Sequence, residues 1–347
     1  MVPLTCANRV LVLSGMEVMK NSRWHGLNAL KEISGVDGSG ISSSDLAFKL
    51  APRLNAPGRM GDSVTGLRAL TTGRESVAEE AVKELHRMNV LRQAAEGEIL
   101  EEIEKTVLPE MDLNNRRTMV LAKEGWHKGV LGIVASRLLE RYYRPALVLT
   151  IQDGMATGSG RSVDGFNLHS AMTGLIDLFE KFGGHCHAAG CTLKASNIGE
   201  LAMGLEKIAQ RVMDREDLIP SVMVDMELPL ADLTVDTVKQ IRSLAPFGAG
   251  NPEPLFYAES VKVIHSRVVG DRHLKILVRQ GEAVMEAIGF GFGDRHPLEG
   301  RTINMIFSPE IDRWKGRTKT RLRIDDFEPA GSSSKLKRTL PHSPVQA

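Results

Sequence analysis

The three cysteines among 347 residues, Cys6, Cys186 and Cys191, are too few and too irregularly spaced for a disulfide framework or a four-cysteine zinc site. That scarcity points to a reducing compartment. No run approaches the roughly twenty apolar residues of a membrane span. The first residues also lack the basic segment and apolar core of a signal peptide, so a cytoplasmic protein is expected. A formal charge of +1 provides no strong net field of either sign. An anion-binding face would therefore have to arise from segregation of basic residues, not from their total. Missing too is any dense cluster of Asp and His of the kind that holds two catalytic metal ions.

What is present is enough chain for two or three domains, with an ordinary 42% of hydrophobic residues. Residues 9–20 and 22–33 read as helices, and 35–44 as a Gly/Ser-rich loop ending in capping serines before Asp45. Residues 45–50 continue as helix into Ala51-Pro52-Arg53-Leu54-Asn55-Ala56-Pro57-Gly58-Arg59-Met60-Gly61, where two prolines and two glycines argue against regular helix. Residues 76–107 form one long helix rich in Glu, Ala and Leu, expected to connect domains with a solvated charged face. From 109 the texture alternates: strand 118–122, helix 130–141, strand 145–151, a glycine turn at 158–162, helix 168–182, a Gly-Gly-His turn, strand 191–194 and helix 198–215. Beyond 221, short β runs at 222–226, 255–269, 274–280, 284–290, 303–311 and 320–327, with one helix at 235–243, predict a small closed barrel of OB type. The polar tail after Pro329 is expected to be disordered.

Two glycine-rich stretches carry the strongest chemical signal. In Gly158-Ser159-Gly160-Arg161-Ser162, the Arg161 guanidinium can grip a terminal phosphate bidentately while the Ser159 and Ser162 hydroxyls donate to the same oxygens. The competing reading is a turn whose glycines serve geometry and whose arginine lies on the surface. In Gly183-Gly184-His185-Cys186-His187-Ala188-Ala189-Gly190, the paired glycines admit close backbone approach, and His185 can donate to a phosphate or a base. A metal site there would need Cys191 and His169 as well, in a spacing that matches no zinc pattern, so a buried, hydrogen-bonded His187 is favoured over a ligand. Trp126, His127 and Lys128 sit on a loop just before a helix, a position that favours anions, unless Trp126 simply anchors packing. In the barrel, Arg267, Arg272, His273 and Lys275 are followed by Lys319, Arg321 and Arg323, which alternate on one strand and so share a face able to track a phosphate backbone. Trp314 is placed to stack on a base, and the competing reading is a strand edge guarded by charge.

In this order the motifs resemble those of one family, the RecJ-type single-stranded-DNA-specific exonucleases of the DHH/DHHA1 superfamily. The segment 50–60 resembles the end of the family's catalytic domain, 125–138, 158–162 and 183–190 its DHHA1 domain, and Leu244-Ala245-Pro246-Phe247-Gly248-Ala249-Gly250-Asn251-Pro252-Glu253-Pro254 the lead-in to its OB domain. The resemblance implies an α/β (α+β) architecture: a DHH remnant over 1–73, a connector helix over 74–110, DHHA1 over 111–217, an OB domain over 218–329 and a tail over 330–347. It also implies a 5′-to-3′ exonuclease of DNA repair and recombination that uses Mn2+ or Mg2+ on single-stranded DNA. Ser159, Arg161, Ser162, Gly184 and His185 would then recognise the 5′ end, with Arg53, Asn55, Arg59, His127 and Lys128 on DNA nearby. Lys275, Trp314, Lys319, Arg321 and Arg323 would guide the strand along the barrel.

The family's metal-holding Asp- and His-rich motifs precede the segment resembled by Val2-Pro3-Leu4-Thr5, and none is present here. The chain is therefore expected to be a C-terminal part, whether fragment, mis-started gene or split protein, that binds no metal and cleaves no DNA alone. Its candidate partners are single-stranded DNA, a separate DHH-domain polypeptide and a single-strand-binding protein. Two other readings stay open: a non-catalytic DHHA1-plus-OB module that holds single strands, and a different DHHA1 phosphodiesterase, against which the barrel argues.

Overall fold

A computed structural model describes residues 2–36, 40–113, 115–270, 272–314 and 317–331. The chain divides into two compact units, Leu13–Ser221 and, separately, Met1–Val12 with Val222–Ala347.

The first unit begins within helix α1 (Cys6–Lys20), which buries none of its residues, and continues through α2 (His25–Ile33). Ser42 starts α3 (Ser43–Asp45) with a capping box, its hydroxyl accepting from the Asp45 N–H while the Asp45 carboxylate accepts from Ser42. The segment with two prolines proves to be helical after all, as α4 (Ala51–Asn55) and α5 (Pro57–Met60). Each proline stands in the first turn of a short helical segment, Pro52 directly after a π-helical turn over Leu46–Leu50 and Pro57 after the break at Ala56 that separates α4 from α5. Then come α6 (Val64–Thr71) and the 28-residue α7 (Glu75–Glu102). Ala78, Ala81, Val82 and Leu85 recur on one face of α7, and Leu30, Leu50 and Ala69 join Ala81, Val82 and Leu85 in a small helical core.

The same unit continues as β1 (Met119–Glu124), α8 (Leu131–Tyr142), β2 (Ala146–Gln152), β3 (Met155–Arg161), α9 (Leu168–Thr173), β4 (Phe179–His185), β5 (Ala188–Lys194) and α10 (Ile198–Val212). The sheet order is β1-β2-β3-β5-β4, parallel between β1 and β2 and antiparallel elsewhere. Strand β2 is buried on both faces: Ala146 and Val148 pack with Leu131, Val134 and Leu138 of α8, and Leu147 and Leu149 with Leu168, Leu201 and Leu205. Two expectations change here. Residues 158–161 are not a turn but the end of a central strand, and the helix expected over 168–182 stops at Thr173, leaving Phe179–His185 as an edge strand. The Gly-Gly-His stretch accordingly closes a hairpin in which His185 pairs with Ala188.

The second unit contains β6 (Met226–Glu227), α11 (Val235–Arg242), β7 (Phe256–Val269), β8 (His273–Gln280), β9 (Ala283–Gly289), β10 (Thr302–Trp314) and β11 (Arg317–Pro329). The order β10-β11-β9-β8-β7-β6, with a further β10–β7 pairing, closes β7 to β11 into a five-stranded OB-type barrel. Val261, Val263, Leu274, Ile276, Val278, Met305, Phe307, Leu322 and Ile324 fill it, with Leu230, Leu233 and Val238 packed into the same cluster. The Leu244-to-Asn251 loop receives the N-terminal segment: the Leu4 N–H donates to the Ala249 carbonyl, and Arg9 to those of Leu244 and Ala245. The tail expected to be disordered lies, from 332 on, outside the described residues.

One polar contact ties α10 to the start of β1. The Glu206 carboxylate accepts the backbone N–H groups of Arg117 and Thr118 and the Thr118 hydroxyl. Burial raises the Glu206 pKa, but these hydrogen bonds outweigh it and hold the group below the ordinary glutamate value. Because the folded pKa is depressed, this stabilisation is complete above the ordinary glutamate value and is lost as pH falls from there through the lower folded value. Glu206→Ala should lower stability by about 1–3 kcal/mol at neutral pH, and denaturant titration should find the gap from wild type narrowing in acid.

Candidate phosphate-binding site

Strand β3 runs antiparallel to both of its neighbours, with Ser159 opposite Val148 and Gly190, and Arg161 opposite Ala146 and Ala188. The two-residue period puts Ser159 and Arg161 on one face of the sheet and the glycines on the other. Those glycines are needed for packing: a Cβ at Gly158 would stand 2.0 Å from the Val148 carbonyl oxygen, and one at Gly160 would stand 2.7 Å from Leu168 Cδ2. On the Arg161 face lies the first turn of α8, where a Cβ at Gly132 would meet Arg161 Nη2 at 3.0 Å and Ser159 Oγ at 3.2 Å.

Arg161 Nη1 donates to Ser159 Oγ at 2.9 Å and to the Gly160 carbonyl at 2.7 Å. Arg59, on α5, donates to the Gly129 carbonyl at 3.2 Å, and the fit is close enough that a Cβ at Gly129 would fall 2.0 Å from the Arg59 oxygen. Burial, together with the positive charge of Arg59, lowers the Arg161 pKa. The two guanidiniums therefore feel each other, and among the described residues neither has a carboxylate in ion-pair range. Two cations and a helix N-terminus converge without a counter-ion, which is the arrangement that attracts an anion.

The other expected residues divide. His127 accepts the Gly129 N–H on its Nδ1 and so shapes the turn into α8, while Lys128 beside it is exposed. Trp126 is buried and donates to Glu102, as a packing anchor does. Gly184, at φ +153°, has no room for a side chain, since a Cβ would come within 2.2 Å of the Ala188 oxygen, and it leaves His185 exposed at the hairpin end. Ser162 departs from expectation: its side chain is buried, and its hydroxyl donates to the Phe166 carbonyl at 2.6 Å instead of facing a ligand. His187 is exposed, not buried, with Asp164 3.9 Å from its Nδ1. Burial pushes the Cys191 thiol up to about 12. Arg53 is held by His86 and the Lys49 carbonyl, and Asn55 is exposed. The sequence reading missed the roles of Gly129, just before the helix, and Gly132, in its first turn, although both were visible in the stretch around the helix start.

The barrel face expected to be electropositive is charge-balanced. Lys319 and Lys275 share Glu286 at 2.7 and 3.3 Å, Arg321 meets Glu310 at 2.9 Å, and Arg323 meets Glu253 at 2.7 Å. The cause is register: β10 sets Glu310 opposite Arg321 and Asp312 opposite Lys319. The role expected of the Trp314 side chain lies outside the described residues. At the β8–β9 end, Phe290 is 54% exposed with its ring centroid 5.2 Å from that of His273. Arg267 and Arg272 nearby in sequence are exposed and have no ion pair among the described residues.

Comparison with known proteins places both units. Residues 115–212 match the DHHA1 domain family and 224–326 the RecJ OB domain family. The single-stranded-DNA-specific exonuclease RecJ of Bacillus subtilis is 35% identical over 332 residues, covering 94% of this chain and 42% of that protein. The Escherichia coli RecJ is 31% identical over 342 residues, covering 94% and 59%. A crystal structure of RecJ in complex with Mn2+ from Thermus thermophilus superposes with a TM-score of 0.81 at 31% identity, over 94% of this chain and 47% of that one. The chain belongs to the RecJ family. It spans about half the length of the relatives it matches. The DHHA1 match contains Ser159, Arg161, Gly184 and His185, whereas Arg59 precedes it. Among the described residues, no group of three or more His, Cys, Asp or Glu side chains is placed to hold a metal ion.

Arg323 is where the barrel's ion pairs are most interdependent. Burial opposes its charge, but Glu253, Asp325 and Glu310 outweigh that and raise its pKa. Arg323→Met should leave these carboxylates facing one another and lower stability by about 1–3 kcal/mol, with part of the loss recovered at high salt in thermal melts.

Proposed function

We propose that this chain serves a cytoplasmic, single-stranded-DNA-specific 5′-to-3′ exonuclease of DNA repair and recombination by holding the strand, with the Arg161 pocket taking the 5′-terminal phosphate. The observation that carries the reading is geometric: Arg161 lies against the first turn of α8, Arg59 is bonded to the Gly129 carbonyl just before that helix, and among the described residues neither has a carboxylate in ion-pair range. A terminal phosphate monoester, at about −1.5 to −2 charges, neutralises such a pair better than an internal phosphodiester with its single charge. Arg161 Nη2 and the first-turn N–H groups of α8 would donate to its oxygens, with Ser159 holding Arg161 in place and His185 and Lys128 nearby on the path of the strand.

In the barrel, the reading moves the strand contact away from Lys319, Arg321 and Arg323, whose charges are spent on carboxylates. It favours Phe290 and His273 as a stacking surface, with Arg267 and Arg272 on phosphates. No cleavage step is assigned to residues of this chain. The metal chemistry of the family, with Mn2+ or Mg2+, would come from a DHH domain, and a single-strand-binding protein is a further partner consistent with this reading.

The test is binding of the full chain to labelled oligothymidylates of one length with either a 5′-phosphate or a 5′-hydroxyl. Arg161→Ala should weaken binding of the phosphorylated strand about tenfold or more relative to the hydroxyl strand, the loss of a charge-assisted hydrogen bond. Equal weakening of both would reduce Arg161 to a general electrostatic contact. Release of mononucleotides by the chain with Mn2+ would assign it cleavage as well as holding.

A further inference from the structure

We propose that Gly132 is a positioning residue for the terminal-phosphate pocket, holding open the slot into which the Arg161 guanidinium fits; this rests on the phosphate reading given above. Gly132 occupies the second position of α8, whose N-cap is Val130. A glycine in a helix is a conformational disadvantage relative to alanine, and no positive φ accounts for it here. What accounts for it is space. The atoms that a Cβ would meet are Arg161 Nη2 at 3.0 Å and Ser159 Oγ and Cβ at 3.2 and 3.6 Å, and no other contact comes closer than these.

Those atoms are the ones that set the pocket. Arg161 Nη1 is already committed to Ser159 Oγ and the Gly160 carbonyl, so Nη2, which faces the first turn of α8, is the terminal nitrogen left to meet a ligand there. A methyl group at 132 would press on that nitrogen and on the serine that orients its partner. The tightest of these atoms, Arg161 Nη2, is the far end of a flexible side chain, and the Ser159 hydroxyl can turn about its Cβ, so the few tenths of an ångström needed can be found without disturbing the backbone. The neighbouring glycine behaves differently: a Cβ at Gly129 would strike the Arg59 backbone oxygen at 2.0 Å and so disrupt the docking of α5 itself. The two glycines thus divide the work, Gly129 admitting the backbone that carries one arginine and Gly132 admitting the guanidinium of the other.

The consequence is a separation between stability and recognition. Gly132→Ala replaces a poor helix former with a good one, so the thermal midpoint should stay the same or rise. The preference of the chain for a 5′-phosphorylated over a 5′-hydroxyl oligothymidylate should nevertheless fall by roughly tenfold, since the donor is moved from its place. Placed in an Arg161→Ala background, the same substitution should change the preference no further, because both act through one guanidinium.

The experiment measures both affinities for wild type, Gly132→Ala, Arg161→Ala and the double variant, with thermal melts of each. A reduced preference in Gly132→Ala without loss of stability, together with a double variant no different from Arg161→Ala alone, supports the proposal. Retention of the full preference by Gly132→Ala while Arg161→Ala loses it would overturn the role of Gly132 and leave the phosphate reading standing. Equal weakening for both strands, or a lowered midpoint, would make Gly132 merely structural. If wild type itself shows no preference, the phosphate reading fails and takes this inference with it.

Discussion

Strand β3 has a hydrogen-bonded neighbour on each side and, at Gly158, no room for a side chain between its own backbone and the Val148 carbonyl. This close pairing is the constraint on which the site depends. Once the strand is locked in register, period-two alternation leaves no freedom over which residues face α8, and they are Ser159 and Arg161. The glycines supply proximity, the strand supplies direction, and α8 supplies the wall against which the guanidinium lies. A glycine-rich loop would have offered flexibility; a glycine-lined strand offers a fixed cation.

The two units use their cations in opposite ways. On the barrel, Lys275, Lys319 and Arg321 meet Glu286 and Glu310 across strands and Arg323 meets Glu253 of the loop before β7, so that the face has little field to offer a passing phosphate. In the DHHA1 region, Arg161 gives up solvent for two neutral acceptors, and among the described residues its charge has no carboxylate partner. A partly buried cation beside a like charge is an unfavourable arrangement for the free protein, and an anion bound there, as proposed above, would relieve it.

The barrel was legible in the sequence because short β-prone runs recur between Gly-, Pro- and Asp-containing turns, and one of them, β8, alternates buried Leu274, Ile276 and Val278 with less buried neighbours. The region around Arg161 was only half legible. Its residues could be named, but glycines read as turn when their purpose is close packing in a sheet, and β4 was hidden because Phe179–His185 is an edge strand with most of its residues exposed. The prolines at 52 and 57 were read as breakers, although each sits where a helix tolerates it. Ion pairing was the least legible property of all: Lys319 and Glu286 are 33 residues apart, and only the register of β9 against β11 and the barrel's closure bring them together. The same holds for Arg59 and Arg161, whose convergence no local pattern could reveal.

The most direct test of the central claim, that the uncompensated arginines form a seat for a terminal phosphate, is a crystal structure of the chain with a short 5′-phosphorylated oligothymidylate. The account predicts the terminal phosphate within hydrogen-bonding distance of Arg161 Nη2, beside the first turn of α8, with Arg59 turned toward it and Ser159 still bonded to Arg161. A strand bound elsewhere, with Arg161 unchanged and an empty face before α8, would contradict it.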